Sequence, residues 1–260
     1  MLVEAVRFIL SRQNADGGFS SFERRRGPLF LERLNPSEMF RNCMVEQSYV
    51  ECTGSCLQAL QHVLERFQWL LPAPDLKAVL EARRRGVAFL RDRQQPDGSW
   101  PGFWGINYTY GTLFGVSGLL AGGIAQDDPA IRRACHWLIG ARLPDGGWGE
   151  SWRSCVENRP IAHERSQVIM TSWALITLLR AGYDGPGAHE AIREGVQLLL
   201  DRQLPNGDWP QESVAGVFFG TAMLHYCLYK NYFPIWALGL YAQAYQQPRS
   251  SSAQPQVVVA

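Results

Sequence analysis

The chain has 260 residues, of which 46% are hydrophobic, so it can bury a sizeable core in one large domain or part of one. Its formal net charge of +1 argues against a protein that attracts nucleic acid through overall charge. Six cysteines occur without a CxxC pair, so reduced thiols in an intracellular protein are expected. No apolar run reaches the roughly 18 residues that a membrane-spanning helix needs.

The chain begins with a predicted helix from Leu2 to Arg12, followed by a charged loop from Ser20 to Leu34. Asn35-Pro36-Ser37-Glu38 has the pattern of a helix start, because Asn can cap, Pro suits the first turn and Glu completes a capping box. A short helix that carries Met39 and Phe40 is therefore predicted.

Tyr49 to Thr53 opens the next helix, whose apolar residues recur at helical spacing. The end of this helix is unusual, because Trp69, Leu70 and Leu71 are large apolar residues directly before Pro72. Either they fold back on the core, or they form a membrane-facing plug of the kind that anchors a protein at a bilayer surface. The sequence favours neither interpretation.

The following helices alternate in charge. Asp75–Gln94, Asp128–Arg142 and Ala188–Gln203 are charged on one side, whereas Tyr108–Ala125 and Ser166–Ala181 are nearly neutral. This alternation predicts an all-α fold, an incomplete α/α toroid of outer and inner helices. An apolar helix pair, Val217–Tyr229 and Ile235–Tyr245, ends the predicted domain (1–245). Residues 246–260, polar and containing Pro and Ser from Gln246 to Gln256, are expected to form a disordered tail.

One turn motif occurs four times, each time after an amphipathic helix. It has an amide or Arg first, Asp or Asn three residues later, Gly four residues later and an aromatic residue six residues later. The four copies are Gln13–Phe19, Gln94–Trp100, Arg142–Trp148 and Gln203–Trp209. Internal repeats of this kind indicate stacked helical units, and their uneven spacing indicates a closed or irregular array.

Conventional catalytic motifs are absent or weak. The sequence has no phosphate loop, no HExxH and no GxSxG. Cys52 and Cys56 lie one helical turn apart but lack a second close pair, so they make a poor zinc site. Glu157, His163 and Glu164 are either an acid–base cluster or, as is more common for such a loop, polar surface.

Aromatic residues of the predicted inner helices offer a different chemistry. They are Trp104, Tyr108, Tyr110, Phe218, Phe219, Tyr226 and Tyr229. The negative π face of such a ring stabilises a cation, and more strongly where water is excluded. Any single ring is more often plain core, but a dry cavity walled by these rings would suit a carbocation reaction on a hydrophobic polyene.

These features resemble the C-terminal half of the triterpene cyclases, most closely the oxidosqualene cyclases of the lanosterol synthase type. The four turns match the QW repeats of that family. Other segments that look like the family are Asn35–Glu38, Tyr49–Thr53, Thr109–Thr112, Leu204–Glu212, Ala215–Phe218 and Asn231–Gly239. The resemblance covers the chain from about Ala5 to Tyr245, and the motifs together are far more specific than any one alone.

The resemblance implies an enzyme of sterol or terpenoid biosynthesis, an intramolecular transferase classed with the isomerases. Its substrate would be 2,3-oxidosqualene, or squalene, which is protonated and folded into fused rings through cations without a cofactor. It also implies a monotopic membrane protein that takes its substrate from the bilayer.

Site residues are carried over by position. Cys52 matches the cysteine whose thiol hydrogen-bonds the catalytic aspartic acid, while Trp104 and Phe218 match rings that stabilise cations along the cavity. The further rings expected to contact substrate are Phe22, Tyr110 and Tyr226.

Several positions depart from the family. Phe22 stands where sterol-forming members usually have Tyr, and Leu113 where Trp is common. Phe219 stands where Asn usually follows the Phe, and Arg142 replaces a repeat Gln. The product skeleton is therefore left open.

The family's acid motif, Asp-Cys-Thr-Ala-Glu, lies upstream of the first repeat and is absent from this sequence. About four outer–inner helix pairs are visible, too few to close the family's full ring. These features predict a fragment that is inactive unless the missing N-terminal half is supplied. Two other classes stay open: a protein prenyltransferase β subunit, which needs Asp, Cys and His on zinc, and a non-catalytic lipid-binding or degenerate subunit.

Overall fold

The computed structural model describes residues 1–37 and 44–245, and these ranges are mostly helical. The α-helices are α1 (Leu2–Ser11), α2 (Val50–Phe67), α3 (Ala73–Arg93), α4 (Tyr108–Ala121), α5 (Pro129–Gly140), α6 (Arg153–Glu157), α7 (Val168–Arg180), α8 (Ala188–Asp201) and α9 (Tyr229–Tyr245). Two short strands, β1 (Gly216–Phe218) and β2 (Ala222–Leu224), form an antiparallel hairpin, and 3-10 helices cover Leu29–Leu34 and Gln68–Leu70.

The helices form two layers. The inner helices α2, α4, α7 and α9 pack against one another in that order. The outer helices α3, α5 and α8 lie against them, and α1 packs against α3. Nearly every residue of α4 and α7 is buried, as their neutral sequences predict, whereas the outer helices bury one side only. The predicted incomplete α/α toroid is confirmed.

Glycine lets two inner helices approach closely. A Cβ atom on Gly54 of α2 would lie 2.6 Å from the carbonyl oxygen of Phe114 in α4. A Cβ atom on Gly118 of α4 would lie 2.9 Å from the Cα atom of Gly54. A side chain at either glycine would force the backbone to shift. These two glycines therefore fix how closely α2 and α4 cross.

Carboxylates hold the starts of two helices. The Asp128 Oδ1 atom accepts a 2.9 Å hydrogen bond from the Ala130 N–H and caps α5, with Pro129 in the first turn. At α4 the acceptor comes from far along the chain, because the buried Glu150 carboxylate accepts from the backbone N–H groups of residues 107–109 at 3.0 to 3.1 Å. An anion at this position satisfies unpaired donors and complements the helix dipole.

The second glycine-aromatic turn shows how an outer helix ends. The Trp100 indole donates a 2.7 Å hydrogen bond to the Leu90 carbonyl near the end of α3. The Gln94 amide donates to the Gly98 carbonyl of its own turn at 2.9 Å and to the Ala130 carbonyl of α5 at 2.8 Å. The indole thus satisfies a carbonyl group near the end of α3, and the amide connects the turn to the next outer helix, α5.

The prediction of a helix from Val217 to Tyr229 was wrong, because the first part of this segment forms the β1–β2 hairpin. Phe219 and Gly220, in the hairpin turn, have φ angles of 48° and 77°, which lie in the left-handed region. Strand β1 is also bonded to a distant segment, because the Val217 N–H donates a 3.3 Å hydrogen bond to the Trp104 carbonyl. Helix α9 accordingly begins at Tyr229.

The apolar residues after α2 separate into two environments. Trp69 is 79% exposed and Leu70 is 40% exposed, whereas Leu71 is only 8% exposed and packs in a small core with Val63 and Val79. The inclusion of Leu71 in a membrane-facing plug was therefore wrong. Among the described residues, no helix combines the length and the apolar character that crossing a bilayer would require.

Two predictions fall outside the described residues. The short helix predicted to carry Met39 and Phe40 lies within the range 38–43, and the predicted disordered tail is the range 246–260. The preceding Asn35 follows the first 3-10 helix, and its Oδ1 atom accepts a 3.0 Å hydrogen bond from the Ser37 N–H.

Candidate functional site

The segment that carries Trp104 is fixed by a buried glutamate. Glu51 lies in the first turn of α2 and is 4% exposed. Its Oε1 atom accepts hydrogen bonds from the backbone N–H groups of Phe103 and, at 3.3 Å, of Trp104. On the other side, the Val217 N–H of β1 donates to the Trp104 carbonyl. The position of Trp104 therefore depends on α2 and on the hairpin together.

A first aromatic group surrounds Trp104, and we call it the Trp104 group. Its members are Tyr49, Phe103, Trp104, Phe218 and Phe219. The Trp104 ring lies 4.7 Å from Tyr49 and 5.9 Å from Phe219, and the Phe219 ring lies 4.6 Å from Phe218. Trp104 and Phe218, both predicted to stabilise cations, are thus brought into one group through Phe219.

A second aromatic group, the Tyr110 group, lies along α4, α7 and α9. Its members are Tyr110, Phe114, Trp173, Tyr226, Tyr229 and Phe233. The Tyr110 ring lies 4.8 Å from Trp173, and the Tyr226 ring lies 4.7 Å from Tyr229. Burial raises the pKa of Tyr110 well above its usual value, and its hydroxyl is hydrogen-bonded to that of Tyr229. The hydroxyl groups of these tyrosines are therefore protonated and uncharged in the physiological pH range.

The two groups meet at a pair of glycines. Gly105 directly follows Trp104, and it pairs with Gly216 of β1 in an antiparallel bridge. A Cβ atom on Gly105 would lie 2.3 Å from the Tyr110 ring, and one on Gly216 would lie 2.4 Å from the Tyr226 ring. Because only glycine leaves room for both rings, this pair lets Tyr110 and Tyr226 approach the backbone that carries the Trp104 group.

Cys52 follows Glu51 on α2 and is half-buried. Burial raises the pKa of its thiol far above the usual value, and the neighbouring Glu51 adds to the effect. Burial also raises the pKa of Cys56 to about 11. Both side chains are therefore protonated thiols, which can donate hydrogen bonds.

Glu51 is a candidate functional residue that the sequence reasoning missed. Burial raises its pKa to about 7, because hydrogen bonds from the Phe103 and Trp104 backbone offset only part of the desolvation of the charge. Its second oxygen, Oε2, is buried without a hydrogen-bond partner among the described residues. The available signal was its place directly before Cys52, an acidic residue in an otherwise uncharged helix start.

The structure does not bring Phe22 to either aromatic group. Its side chain is 72% exposed, in the loop after the first turn. Within the residues that the structure describes, no ring of the Trp104 group or the Tyr110 group stacks on it. Its role in substrate binding stays a prediction.

The polar residues that could have formed an acid–base cluster have different partners in the structure. His163 Nε2 lies 3.0 Å from the Ser213 hydroxyl, whereas Glu157 forms ion pairs with Arg153 and Arg159, both at 2.6 Å. These are the contacts of a polar surface. Across residues 1–37 and 44–245, no three His, Cys, Asp or Glu side chains are placed to hold a metal ion.

The family model described as squalene-hopene cyclase C-terminal domain matches residues 1–243. Lanosterol synthase of Mus musculus is 44% identical over 250 residues, covering 94% of this chain and 33% of its own length. Cycloartenol synthase of Dictyostelium discoideum is 45% identical, covering 94% of this chain and 34% of its own length. The chain thus spans about a third of the length of the curated relatives it matches.

Solved structures share the fold. The type II terpene cyclase MstE from Scytonema, in complex with merosterolic acid A, aligns with a TM-score of 0.59 and 19% identity over 92% of this chain and 66% of its own. The ent-copalyl diphosphate synthase from Streptomyces platensis aligns with a TM-score of 0.58 and 18% identity over 92% of this chain and 45% of its own. At these identities the likeness concerns the architecture.

Proposed function

This chain belongs to the squalene-hopene cyclase C-terminal domain family, and from that premise we propose that it is the C-terminal portion of an oxidosqualene cyclase. The reaction would convert 2,3-oxidosqualene, or squalene, into a polycyclic triterpenoid or sterol precursor through carbocations, without a cofactor. In this proposal the four glycine-aromatic turns are the QW repeats of the family.

The meeting of the two aromatic groups at Gly105 and Gly216 is the observation that carries the proposal. Two glycines leave space for rings from both groups, and neither group includes a charged side chain. A hydrocarbon cation at such a wall would be stabilised by the π faces of the rings. Neutral, hydrogen-bonded tyrosines such as Tyr110 suit the same wall.

All the predicted site residues except Phe22 have a place in this proposal. Trp104 and Phe218 would stabilise cations, and Tyr110 and Tyr226 would contact the substrate. The protonated thiol of Cys52 would donate a hydrogen bond to a catalytic aspartic acid contributed by the missing N-terminal half. Glu51 would hold the Trp104 backbone in place.

The chain alone is proposed to be inactive, because its sequence lacks the acid motif Asp-Cys-Thr-Ala-Glu. The test is to incubate the purified chain with 2,3-oxidosqualene in detergent and follow substrate and products by gas chromatography with mass spectrometry. We expect no consumption by the chain alone, and product when the part of human lanosterol synthase outside the matched third is added. Turnover by the chain alone would refute the missing-acid proposal.

A matched pair of variants tests the aromatic wall in the complemented reaction. Trp104→Leu should lower the rate by about 100-fold or more, as expected for loss of a group that stabilises transition-state charge. Trp152→Leu, at a side chain that is 52% exposed, should leave the rate within about twofold. Equal rates for the two variants would reject a catalytic role for Trp104.

A non-catalytic lipid-binding subunit is the second candidate, and the same aromatic wall supports it. Organic extraction of the purified protein, followed by mass spectrometry, distinguishes the two. A retained polyene or sterol that the complemented protein does not convert would favour the binding subunit.

We also propose that the protein is intracellular and contacts a membrane peripherally through Trp69 and Leu70, since exposed apolar residues of this size suit a bilayer interface. Phe67, 37% exposed, would extend the surface. Sedimentation with phosphatidylcholine vesicles should fall sharply for Trp69→Ser combined with Leu70→Ser, and should not change for Trp152→Ser. Unchanged sedimentation of the double variant would reject this surface.

A further inference from the structure

A cavity of about 480 Å³ lies where α4 and α7 end and the second half of α2 passes them. Its polar side chains are Gln58, Gln61, His62 and Glu65 of α2, together with Gln126 and Arg180, the last residue of α7. None of these residues belongs to the Trp104 group or the Tyr110 group. The cavity is therefore distinct from the candidate site, and we call it the Arg180 cavity.

Arg180 places a half-buried cation in this cavity. Its Nη1 atom donates to the Gln58 Oε1 atom at 2.8 Å and to the Ser117 hydroxyl at 3.1 Å, and both partners are neutral. Among the described residues, Arg180 forms no ion pair. Burial lowers the pKa of the guanidinium below its ordinary value, because part of the charge is removed from water. Such a cation favours an anion beside it, since its desolvation is otherwise uncompensated.

The guanidinium is held in place, and one edge of it is left for a ligand. Its two Nη1 bonds connect it to α2 and α4, and its central carbon lies 5.9 Å from the Trp236 ring on α9. The Nε–H and Nη2–H groups have no acceptor among the described residues. They form the planar fork with which arginine binds two oxygens of a phosphate or a carboxylate.

A second unsatisfied group lies in the same cavity. The Gln61 Oε1 atom is buried and has no hydrogen-bond partner in the part of the chain that the structure describes. The Gln61 Nε2 atom donates to the Glu65 carboxylate, and this bond fixes the orientation of the amide because a carboxylate only accepts. A buried acceptor of this kind favours a ligand that carries an N–H or O–H group.

The charges of the cavity have opposite signs at different places. Arg180 supplies a cation at the end of α7, and the Glu65 carboxylate lies beside Gln61 on α2. The nearby Arg83 is occupied, because its Nε and Nη2 atoms donate to the Ala121 carbonyl at 3.1 and 2.7 Å. An occupant that matches this arrangement has an anionic group at one end and an N–H-bearing cation at the other.

The Arg180 cavity adjoins the surface proposed to contact a membrane. Glu65 lines this cavity and also lines a neighbouring one, together with Trp69. Trp69 and Leu70 are exposed apolar residues. A lipid whose chains lie against Trp69 and Leu70 would therefore bring its headgroup close to Glu65.

We propose that the Arg180 cavity binds a phosphate group that carries an ammonium group, as in the headgroup of phosphatidylethanolamine. The Arg180 fork donates to two phosphate oxygens, and the ammonium group donates to the Gln61 Oε1 atom and the Glu65 carboxylate. A choline headgroup fits less well, because its quaternary nitrogen has no N–H group. Free phosphoethanolamine presents the same two groups, and only the lipid source rests on the membrane contact in the proposed function.

The first test titrates O-phosphoethanolamine into the purified full chain by isothermal titration calorimetry. Arg180→Met keeps the length of the side chain but removes the fork, so the affinity should fall by about tenfold or more. Arg84→Met is the matched control, at an exposed arginine paired with Glu81 at 2.6 Å, and should change the affinity by no more than about twofold. Circular dichroism would show that both variants are folded.

Gln61→Leu tests the ammonium half separately, with Arg180 intact. The wild type should bind O-phosphoethanolamine about fivefold or more tightly than O-phosphocholine, because only the former can donate to the Gln61 Oε1 atom. Gln61→Leu should abolish this preference by weakening the binding of O-phosphoethanolamine alone. Equal affinities of the wild type and Arg180→Met, inorganic phosphate that binds as tightly as O-phosphoethanolamine, or a wild type that binds neither compound would each overturn the proposal.

Sedimentation with vesicles decides the source of the ligand. The wild type should bind vesicles of phosphatidylcholine mixed with phosphatidylethanolamine about threefold or more tightly than vesicles of phosphatidylcholine alone. Arg180→Met should lose this difference. Binding of O-phosphoethanolamine without any difference between the vesicles would reject the lipid source and keep the cavity as a site for a free phosphate compound.

The outcome is separable from that of the proposed function. Trp69→Ser combined with Leu70→Ser removes the proposed membrane contact, and O-phosphoethanolamine should still bind to this double variant. In detergent, Arg180→Met should leave the conversion of 2,3-oxidosqualene by the complemented protein unchanged, because Arg180 belongs to neither aromatic group. A failure of the membrane contact or of the conversion thus leaves the calorimetric result to decide on the Arg180 cavity.

Discussion

The Trp148 indole donates a hydrogen bond of 2.7 Å to the carbonyl oxygen of Leu138, ten residues earlier and close to the end of α5. The Trp100 indole donates the same kind of hydrogen bond to the Leu90 carbonyl at 2.7 Å, and the Trp209 indole to the Leu199 carbonyl at 2.8 Å. Each indole thus satisfies a carbonyl group near the end of the helix that precedes its turn, and its ring is buried in the core.

Replacing Trp148 by Phe should destabilise the protein by about 1 to 2 kcal/mol, because the ring is retained in part but the buried hydrogen bond is lost. Urea unfolding followed by circular dichroism measures the difference in free energy of unfolding. Trp152→Phe is the control, at a side chain that is 52% exposed, and should change stability by less than about 0.5 kcal/mol. Equal effects would mean that the indole bond contributes nothing.

Gly98→Ala and Gly207→Ala should differ in cost although both residues have positive φ. Each alanine would bear a left-handed strain of about 1 to 2 kcal/mol. Only at Gly98 would the new Cβ also lie 2.6 Å from the Arg133 oxygen, whereas at Gly207 it meets no described atom within 4 Å. Gly98→Ala should therefore be the more destabilising by at least about 1 kcal/mol in urea unfolding. Equal losses would show that the second turn does not hold α5 tightly.

Glu150→Gln should weaken the start of α4. The carboxylate accepts from three consecutive backbone N–H groups, of residues 107–109, and from the Thr109 hydroxyl. A neutral amide provides one acceptor oxygen and no charge to complement the helix dipole, so we expect a loss of about 2 kcal/mol. Glu164→Gln, at an exposed glutamate in the neighbouring loop, is the control and should be neutral. Faster hydrogen exchange in the first turn of α4 would confirm where the effect lies.

Glu51 should make stability depend on pH. Its folded pKa of about 7 lies above its ordinary value of 4.5, so the folded state holds this proton more tightly than the unfolded state. The resulting contribution to stability is complete below about pH 4.5 and is lost as the pH rises through about 7, a change of roughly 3 kcal/mol at most.

The measurement is the free energy of unfolding between about pH 5 and pH 8 for the wild type and for Glu51→Gln. The variant keeps an acceptor for the Phe103 and Trp104 backbone but cannot ionise, so its advantage over the wild type should grow with pH across this window. Parallel pH profiles for the two proteins would contradict a raised pKa at Glu51.

Much of the helical architecture could be predicted because it depends on local pattern. The neutral stretches from Tyr108 and from Ser166 became the buried inner helices α4 and α7, and the one-sided charge of Asp75–Gln94 became the outer helix α3. The β1–β2 hairpin was not predicted, because it depends on contacts that are distant in sequence. Its residues are apolar enough for a buried helix, and their pairing depends on a bond from Val217 to Trp104, more than a hundred residues away in sequence.

The candidate site was only partly predictable. Trp104, Phe218, Tyr110 and Tyr226 were identified from their type and from the family resemblance, but the sequence did not predict that they form two groups that meet at a glycine pair. Gly105 and Gly216 carry no side chain that a pattern could detect, and their importance arises only when two distant segments pair.

The amino-acid sequence alone indicated most of the helices, which of them face inward and where the outer helices end, because hydrophobic periodicity, charge and Gly-aromatic turns act over a few neighbouring residues. It did not indicate the hairpin at residues 216–224, whose pairing is not local. Tertiary structure alone decided that Glu51 is buried beneath the Trp104 backbone, that Leu71 joins a core while Trp69 faces solvent, and that Gly98 packs against α5 while Gly207 meets no described atom within 4 Å. These outcomes depend on burial and on contacts between residues far apart in the chain, and such contacts exist only once the helices have packed.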